Sequence, residues 1–468
     1  MLKIIGRPHR TSLRADSAED QKVFAMLKLI PEAEVAQTRP PLAIALVIDT
    51  SASMQSYADQ DAAKNFAQQQ GLRGQSDHVD GDNYQVLNIQ LPTLLDQAIQ
   101  AAHTMIDDPR LSPTDAICIV HFDDDASVLL PLVPLSEKQA AHNAVESLRN
   151  FAGGTCMARG LQCAMSEMSH LPAEIAKRVI VLTDGATFDE DDCLAQLPQF
   201  AATNTPLIGI GFGEEYNEQL LRQMADATQG RPYALRQMAD LSEVLQVEVG
   251  QTSREVVTDL KATISTVKGV RVDSISRIHP AIIDVNVTQS PYRLGNIAAG
   301  DYTVFIIEMT VSGVERPPSR ARIAQIGLTA NAPGLNRVQE FPPENLFIEF
   351  TNDADAIAAV DPEVIGYVQQ KNVGRMVEGA MRTATVDVSK ARQTLQVAVG
   401  MTQRIGNSAM TQMLNNAISE LDGTGTISVS TGKTVALGLR TKTVKTAAIG
   451  EGGTGGLSPE EIRRLTGT

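Results

Sequence analysis

The chain has 468 residues, of which 43% are hydrophobic and 4% are aromatic, and it contains no Trp. This length is sufficient for two or three domains with separate cores, whereas so few aromatic side chains disfavour a base-stacking or carbohydrate-binding surface. The formal net charge of −15 repels phosphate backbones and anionic lipid, so neither nucleic acid nor a membrane is an expected partner.

The N-terminal segment, residues 1–40, contains the alternating stretches LKIIG and KVFAMLKLI, which predict strands. No helical pattern accompanies them, so we expect these strands to join a β-sandwich formed later in the chain. The segment lacks the apolar run of a signal peptide, and no apolar stretch reaches membrane-spanning length. We therefore expect a cytoplasmic protein.

Residues 41–248 alternate apolar runs with amphipathic helical patterns. The runs LAIALVID, AICIVHF, RVIVLTDG and PLIGIGFG are typical of parallel strands that are buried on both faces. Strands that alternate with helices predict a doubly wound, mostly parallel, Rossmann-like α/β sheet. Residues 55–90 are too polar to form a core, and we expect them to form an inserted loop.

The pattern changes after the predicted α/β domain. Residues 249–352 contain strand-like pieces separated by turn residues, which predict the β-sandwich. Residues 353–421 have the apolar spacing of a small helical unit. Residues 422–468 are rich in Gly and Thr, so we expect a flexible tail.

The four cysteines, Cys118, Cys156, Cys163 and Cys193, show no paired C-x-x-C spacing. Cys118 lies inside an apolar strand pattern. Free thiols are therefore expected rather than disulfides or a zinc site, which agrees with a reducing compartment.

Five oxygen-bearing residues in three segments of the α/β domain are the candidate site. DTSAS supplies Asp49, Ser51 and Ser53 after the first strand, GGT supplies Thr155, and TDG supplies Asp184. Ligands of open α/β sheets bind at the carboxyl ends of the strands, where two of these segments must lie. Carboxylates and hydroxyls are hard ligands that suit Mg²⁺ or Mn²⁺ and are poor for zinc. The alternative for DTSAS alone is a strand-end turn that caps a helix.

A second acidic segment, HFDDD, ends another predicted strand with Asp123, Asp124 and Asp125. These side chains could form an acidic rim around the metal, or they could lie in a solvated turn. The residues alone leave both interpretations open.

The segments IDTSAS, GGT and LTDG resemble, in order and context, the metal-ion-dependent adhesion site of von Willebrand factor type A (VWA) domains. The resemblance implies that Ser51, Ser53 and Thr155 are direct metal ligands. It also implies that Asp49 and Asp184 bind the ion directly or through water. A partner protein would then complete the coordination shell with an acidic residue, so the expected function is metal-dependent protein binding.

The order of domains also resembles a group of bacterial cytoplasmic VWA proteins that are associated with Ser/Thr kinases, phosphatases and phosphothreonine-binding modules. This resemblance implies a signalling scaffold, with Thr441, Thr443 and Thr446 as candidate phosphoacceptors beside basic residues. The basic Thr-rich segment could equally be a disordered linker. Another alternative is an adaptor for an AAA+ ATPase, because some VWA proteins serve such machines.

The remaining functional class to consider is that of enzymes. A metal-dependent phosphohydrolase would use Asp49 as its nucleophile, but the residue two positions later is Ser51 and not a second carboxylate that could act as general acid or base. No Cys/His or Ser/His pairing is evident either. We therefore expect a protein that is not an enzyme.

Overall fold

The chain folds into two compact units. Met1–Arg39 and Arg254–Thr468 form one, which we call the sandwich–helix unit, and Pro40–Ser253 form the other, the α/β unit. The computed structural model describes residues 2–32, 39–70, 75–79, 82–86, 91–172, 174–313, 317–331 and 338–446.

The chain begins with three strands of the sandwich–helix unit, which are β1 (Leu2–Pro8), β2 (Ser12–Arg14) and β3 (Gln21–Pro31). The strands of the α/β unit follow as β4 (Leu42–Asp49), β5 (Gln75–Val79), β6 (Asp82–Val86), β7 (Ala116–Phe122), β8 (Ala126–Pro134), β9 (Ala176–Thr183), β10 (Leu207–Phe212) and β11 (Arg231–Leu235). Its helices are α1 (Gln60–Gln70), α2 (Leu94–Ile106), α3 (Lys138–Ser147), α4 (Met157–Met168), α5 (Glu190–Ala202), α6 (Glu218–Thr228) and α7 (Leu241–Thr252).

The main sheet of the α/β unit has the order β11-β10-β9-β4-β7-β8. All neighbours are parallel except β8, which runs antiparallel to β7 at the edge. Every residue of the central strand β4 is buried, which explains its uninterrupted apolar sequence. The strand order reverses between β4 and β9, so the carboxyl ends of these two strands border a crevice.

Helices cover both faces of this sheet. One face packs against α2, α3 and α7 through a core that contains Ile44, Leu46 and Ile48 of β4. On the other face Gly160 of α4 lies so close to Val47 of β4 that an added Cβ would approach a methyl group to 2.9 Å. The predicted doubly wound sheet is confirmed.

The predicted inserted loop at residues 55–90 contains secondary structure, so the expectation of a loop is wrong for residues 60–70, 75–79 and 82–86. Helix α1 and the β5–β6 hairpin both lie within it. Its two ends lie side by side, because the Ala58 N–H donates to the Pro92 carbonyl and the Leu94 N–H donates to the Ser56 carbonyl, both at 2.9–3.0 Å. The insertion therefore leaves and rejoins the unit beside the end of β4.

The rest of the sandwich consists of the strands β12 (Glu255–Thr266), β13 (Val270–His279), β14 (Ile283–Val285), β15 (Tyr292–Ala298), β16 (Thr303–Val311), β17 (Ser319–Asn331) and β18 (Val338–Thr351). One sheet has the order β1-β3-β16-β13-β14 and the other has the order β15-β12-β17-β18-β2. Both sheets contribute to one apolar core, which includes Leu27, Phe305 and Ile348. The three N-terminal strands thus complete the sandwich, and the α/β unit is inserted between β3 and β12.

Five helices end the described chain, namely α8 (Ala354–Ala358), α9 (Pro362–Ala384), α10 (Val388–Arg404), α11 (Ser408–Thr424) and α12 (Val429–Thr441). The N-terminal half of α9 packs on the outer face of the first sandwich sheet, where Tyr367 and Val368 contact Phe24 and Met26. Its C-terminal half packs with α10, α11 and α12 around a second apolar core.

The predicted flexible tail at 422–468 is wrong for residues up to 446. Helix α12 begins at the cap Ser428 and buries Val435 and Leu439, which are four positions apart and therefore share one face. The Gly- and Thr-rich composition concealed this weak helical pattern. The rest of the predicted tail, 447–468, lies outside the described residues.

Replacing Leu439 with alanine tests the packing of α12. The side chain is 6% exposed in the helical core, so we expect the free energy of unfolding to fall by roughly 2 to 5 kcal/mol. Val429→Ala is the matched control, because Val429 is 57% exposed and its loss should change stability by less than about 0.5 kcal/mol. Denaturant unfolding of the full chain measures the free energy of unfolding of both variants. Equal changes in the two variants would argue for a flexible tail.

Candidate metal centre

The candidate site lies where β4 and β9 end. Asp49 is the last residue of β4, and Asp184 directly follows β9. Both side chains are buried. The pairing of the two strands therefore brings together two carboxylates that are 135 positions apart (184 − 49) in the sequence.

The loop after β4 points two hydroxyls toward Asp184. The Ser51 N–H donates to Asp49 Oδ1 at 2.8 Å and turns the chain into a short 3₁₀-helix, Ala52–Gln55. Ser51 Oγ then lies 3.0 Å from Ser53 Oγ, and Ser53 Oγ donates to Asp184 Oδ1 at 2.8 Å. Four of the five predicted residues form one continuous hydrogen-bonded chain.

The fifth predicted residue, Thr155, lies on a loop that is hydrogen-bonded to the loop after β4 and to the loop after β9. The Ala52 N–H donates to the Gly153 carbonyl at 2.9 Å, and the Phe188 N–H donates to the Thr155 carbonyl at 2.9 Å. The Thr155 hydroxyl faces Gly185, where an added Cβ would lie 3.8 Å from it. Thr155 is therefore beside Asp184, although no hydrogen bond joins their side chains among the described contacts.

Burial disfavours the charged form of both carboxylates. Burial, and then the charge of Asp184, raise the pKa of Asp49 to about 7. Burial is also the largest cause that raises the pKa of Asp184 to about 6. Their neighbours are hydroxyls and a backbone N–H, and the described ion pairs place no Lys, Arg or His beside either one. Two buried carboxylates without a basic partner have the electrostatics of a cation site.

The donor set fits a hard divalent ion. Hydroxyl and carboxylate oxygens suit Mg²⁺ or Mn²⁺, whereas zinc favours nitrogen and sulfur ligands. Among the described residues no group of three His, Cys, Asp or Glu side chains has metal-binding geometry. The candidate ligand set consequently depends on the three hydroxyls of Ser51, Ser53 and Thr155.

Sequence reasoning missed Thr183, which precedes Asp184 in the TDG motif. Its hydroxyl donates to Asp49 Oδ2 at 2.6 Å and also contacts the Gly185 carbonyl at 3.1 Å. Thr183 therefore fixes the orientation of the Asp49 carboxylate. The position of Thr183 in the TDG motif, directly before Asp184, was the sequence feature that could have indicated this role.

The acidic segment after β7 is partly structural. Asp123 is buried, and its carboxylate accepts the Asp125 N–H at 3.0 Å. Asp124 lies against Gly153 and Gly154, where an added Cβ would approach its oxygens to 2.6 and 2.5 Å. Asp125 has an exposed side chain, as in a solvated turn. A Cβ at either glycine would therefore require the exposed Asp124 side chain to move.

The three candidate phosphoacceptors do not lie in a flexible tail, so the sequence-based placement is wrong. Thr441 ends α12, the Thr443 hydroxyl donates to the Pro280 carbonyl at 2.8 Å, and the Thr446 hydroxyl donates to the Glu363 carbonyl at 3.2 Å. Thr446 is only 1% exposed. Because Gln370 also bonds the backbone of Val444 through both its amide atoms, the disordered-linker alternative is wrong for this segment too.

Two clefts flank the site. One has a volume of about 940 Å³ and is bordered by Ser53, Asp184 and Glu215. The other, about 800 Å³, lies between α4 and α5. Phe188 stands at the second cleft, on the loop that follows Asp184, with 76% of its surface exposed.

Comparisons with known proteins agree with this fold. Residues 91–247 match the family model of the von Willebrand factor type A domain. A von Willebrand factor type A protein from Catenulispora acidiphila has a TM-score of 0.73 at 18% identity, over 94% of this chain and 97% of that one. The ArnB paralog VWA2 from Sulfolobus acidocaldarius has a TM-score of 0.58 at 15% identity, over 95% and 99% of the two chains. These two likenesses show the fold, and residues 91–247 are similar in sequence to the von Willebrand factor type A domain.

Two curated relatives match by sequence. The uncharacterized protein sll0103 of Synechocystis is 24% identical over 232 residues, which are 46% of this chain and 53% of that protein. The uncharacterized protein YfbK of Escherichia coli is 24% identical over 226 residues, 46% of this chain and 39% of that protein. The aligned part is thus about half the length of these relatives or less. Within the described part of this chain, no helix is both long and apolar enough to cross a membrane.

Proposed function

We propose that the α/β unit is a protein-binding module that depends on Mg²⁺ or Mn²⁺. The supporting observation is the convergence of two buried carboxylates with serine hydroxyls at the carboxyl ends of β4 and β9, where the described residues place no basic partner. Ser51, Ser53 and Thr155 would hold the ion together with Asp49 and Asp184. The bound ion would supply a coordination position for a carboxylate of the partner.

The chain's own residues arrange this centre. Thr183 and the Ser51 N–H orient Asp49, and Ser53 bridges the first loop to Asp184. With neutral hydroxyls as the direct ligands and Asp49 and Asp184 bound through water, a bound cation would keep its attraction for a third carboxylate. A partner without an acidic residue would leave that position to water, so the site discriminates between partners.

The same geometry argues against the phosphohydrolase alternative. Asp49 has no exposed surface, and its two oxygens accept hydrogen bonds from Ser51 and Thr183. A nucleophile must reach the reacting atom of its substrate. We therefore propose a function without catalysis.

The scaffold role is part of this proposal. Two units with separate cores lie on one chain, so each would offer its own surface for a protein partner. A link to Ser/Thr phosphorylation through Thr443 and Thr446 would first require release of a packed segment. Phosphorylation at these positions is therefore not the basis of the proposal.

Phe188 is expected to contribute to the partner-binding surface. Among the exposed large apolar side chains of the described residues, it is the nearest in sequence to Asp184, and its backbone is fixed to Thr155. Aromatic side chains at the centre of an interface often dominate affinity. We expect Phe188→Ala to weaken partner binding by roughly tenfold or more, which corresponds to at least about 1.4 kcal/mol, with unchanged Tm. Val247→Ala, at an exposed position on α7, is the control and should keep full affinity.

Capture from a native lysate tests the proposal as a whole. The full chain is immobilised in Mg²⁺, in EDTA, and as the Ser51→Ala variant in Mg²⁺, and retained proteins are identified by mass spectrometry. A partner that is retained only by the unaltered chain in Mg²⁺ supports a metal-dependent module. A partner retained equally in all three would assign binding to another surface and contradict the proposal. Co-purification of a hexameric ATPase would instead support the alternative that this protein is an adaptor for an AAA+ ATPase.

A further inference from the structure

Two histidines on adjacent helices of the α/β unit face each other. His103 lies in the last turn of α2 and His142 lies in α3. Their Nδ1 atoms are 2.6 Å apart, and the ring centroids are separated by 4.8 Å. Both side chains are about one-fifth exposed, so solvent and ions can reach them.

The outer nitrogen of each ring faces a carboxylate. His103 Nε2 lies 2.8 Å from Glu146 Oε1, and His142 Nε2 lies 3.4 Å from Asp107 Oδ1. An ionised carboxylate accepts but does not donate a hydrogen bond, which favours the tautomer with the proton on Nε2 in each ring. In that tautomer both Nδ1 atoms present lone pairs to each other. At 2.6 Å these lone pairs repel unless a proton or a metal ion lies between the two rings.

The surrounding charges favour such a cation. Lys138 Nζ lies 3.6 Å from Asp107, while Arg149 contacts Asp96 and lies 3.1 Å from Glu146. The cluster thus has three carboxylates and two basic side chains, which gives a formal charge of −1 with neutral histidines. A positive charge between the rings compensates it.

We propose that His103 and His142 bind a zinc ion through their Nδ1 atoms. Imidazole nitrogen is a preferred zinc ligand, and a carboxylate on the other ring nitrogen is the usual support for a metal-binding histidine. Tetrahedral zinc with Zn–N distances of about 2.1 Å separates two ligand nitrogens by about 3.4 Å, so the rings need to open by less than ~1 Å.

The zinc ion would join α2 to α3. The described chain offers no third His, Cys, Asp or Glu that converges with this pair, so water or a partner's side chain completes the shell. This site has nitrogen ligands and is independent of the oxygen-rich centre between β4 and β9.

Calorimetric titration of the full chain with zinc chloride, in excess Mg²⁺, tests the site. The unaltered chain should bind one zinc equivalent that His103→Gln loses. This variant is informative because glutamine can still donate to Glu146 but lacks the ligand nitrogen. His170→Gln, at an exposed histidine outside the pair, should retain the equivalent. Glu146→Gln should weaken zinc affinity roughly 10- to 100-fold.

Three results would overturn the proposal. The first is that the unaltered chain takes up no zinc, and the second is that His103→Gln binds zinc equally well. In either case His103 and His142 would only share a proton. The zinc equivalent could also disappear in Cys163→Ser while it persists in His103→Gln, which would assign it to thiols. Ser51→Ala should keep the zinc equivalent while it loses any response to Mg²⁺, so this site and the proposed function can fail separately.

Discussion

Mg²⁺ should raise the Tm of the unaltered chain and should leave the Tm of Ser51→Ala unchanged. A ligand that binds only the folded state stabilises it by mass action, which amounts to about 1.4 kcal/mol at a tenfold excess over Kd. Ser51→Ala removes the hydroxyl that faces Ser53 but keeps the backbone N–H that bonds Asp49, so its fold should be retained. Thermal unfolding with and without Mg²⁺ measures the difference, and partner binding should be lost in parallel.

The control for this experiment is Ser136→Ala. Ser136 is exposed in a 3₁₀-helix of the same unit, so the same chemical change there should leave the Mg²⁺ response intact. Asp49→Ala should lose the response as Ser51→Ala does, because it removes a carboxylate of the proposed centre. A full Mg²⁺ response in either site variant would show that the ion binds elsewhere.

The metal-free protein should become more stable at pH 8 when Asp49 is replaced by asparagine. The pKa of Asp49 is raised to about 7 by burial and by Asp184, whereas an unfolded aspartate ionises near 3.8. A carboxyl whose pKa is raised by folding opposes folding when it is ionised. The free energy of unfolding of the metal-free chain should therefore fall as the pH rises from about 4 to about 7.

Asparagine removes this penalty and leaves Ser51 and Thr183 with hydrogen-bond partners. Its amide oxygen can accept the Ser51 N–H, and Thr183 can instead donate to the Gly185 carbonyl. The gain at pH 8 without metal should be a few kcal/mol, since each pKa unit corresponds to about 1.36 kcal/mol. Denaturant unfolding at pH 5 and pH 8 in EDTA measures it, with Ser51→Ala as an uncharged reference. A variant that is less stable than the unaltered chain at pH 8 would contradict the electrostatic argument.

Mg²⁺ should reverse this pH trend. The ion favours ionised carboxylates, and the pKa of Asp184 is also raised, to about 6. Stabilisation by Mg²⁺ should consequently be larger at pH 8 than at pH 5, where both groups hold their protons.

The α/β unit shows how much could be predicted from local sequence. The run LAIALVID predicts a strand buried on both faces, and β4 occupies the centre of the sheet with every residue buried. The motifs DTSAS and TDG follow strands of the parallel sheet, so the strand ends alone placed these two loops near one another, whereas GGT precedes a helix. The sandwich strands were also predictable, because each has alternating or continuous apolar residues with turn residues between them.

Helix α12 shows where composition misled the prediction. Glycine and threonine disfavour an isolated helix, but burial of Val435 and Leu439 against the helical core outweighs that preference. The extended segment 442–446 is ordered in the same way, through contacts with Gln370 and Glu363 that are at least 74 positions distant in the chain. Neither effect is visible in a local window of sequence.

The sequence by itself determined the parallel α/β sheet, the split sandwich and the oxygen-rich candidate ligands, because apolar periodicity and strand-end motifs are local properties. Only the tertiary structure decided the electrostatics. Burial and the approach of Asp184 raise the pKa of Asp49, and Thr183 orients its carboxylate. The packing of α2 on α3 likewise joins His103 and His142 across 39 positions. Desolvation and the distance between charges depend on which elements pack together, so these properties exist only in the folded chain.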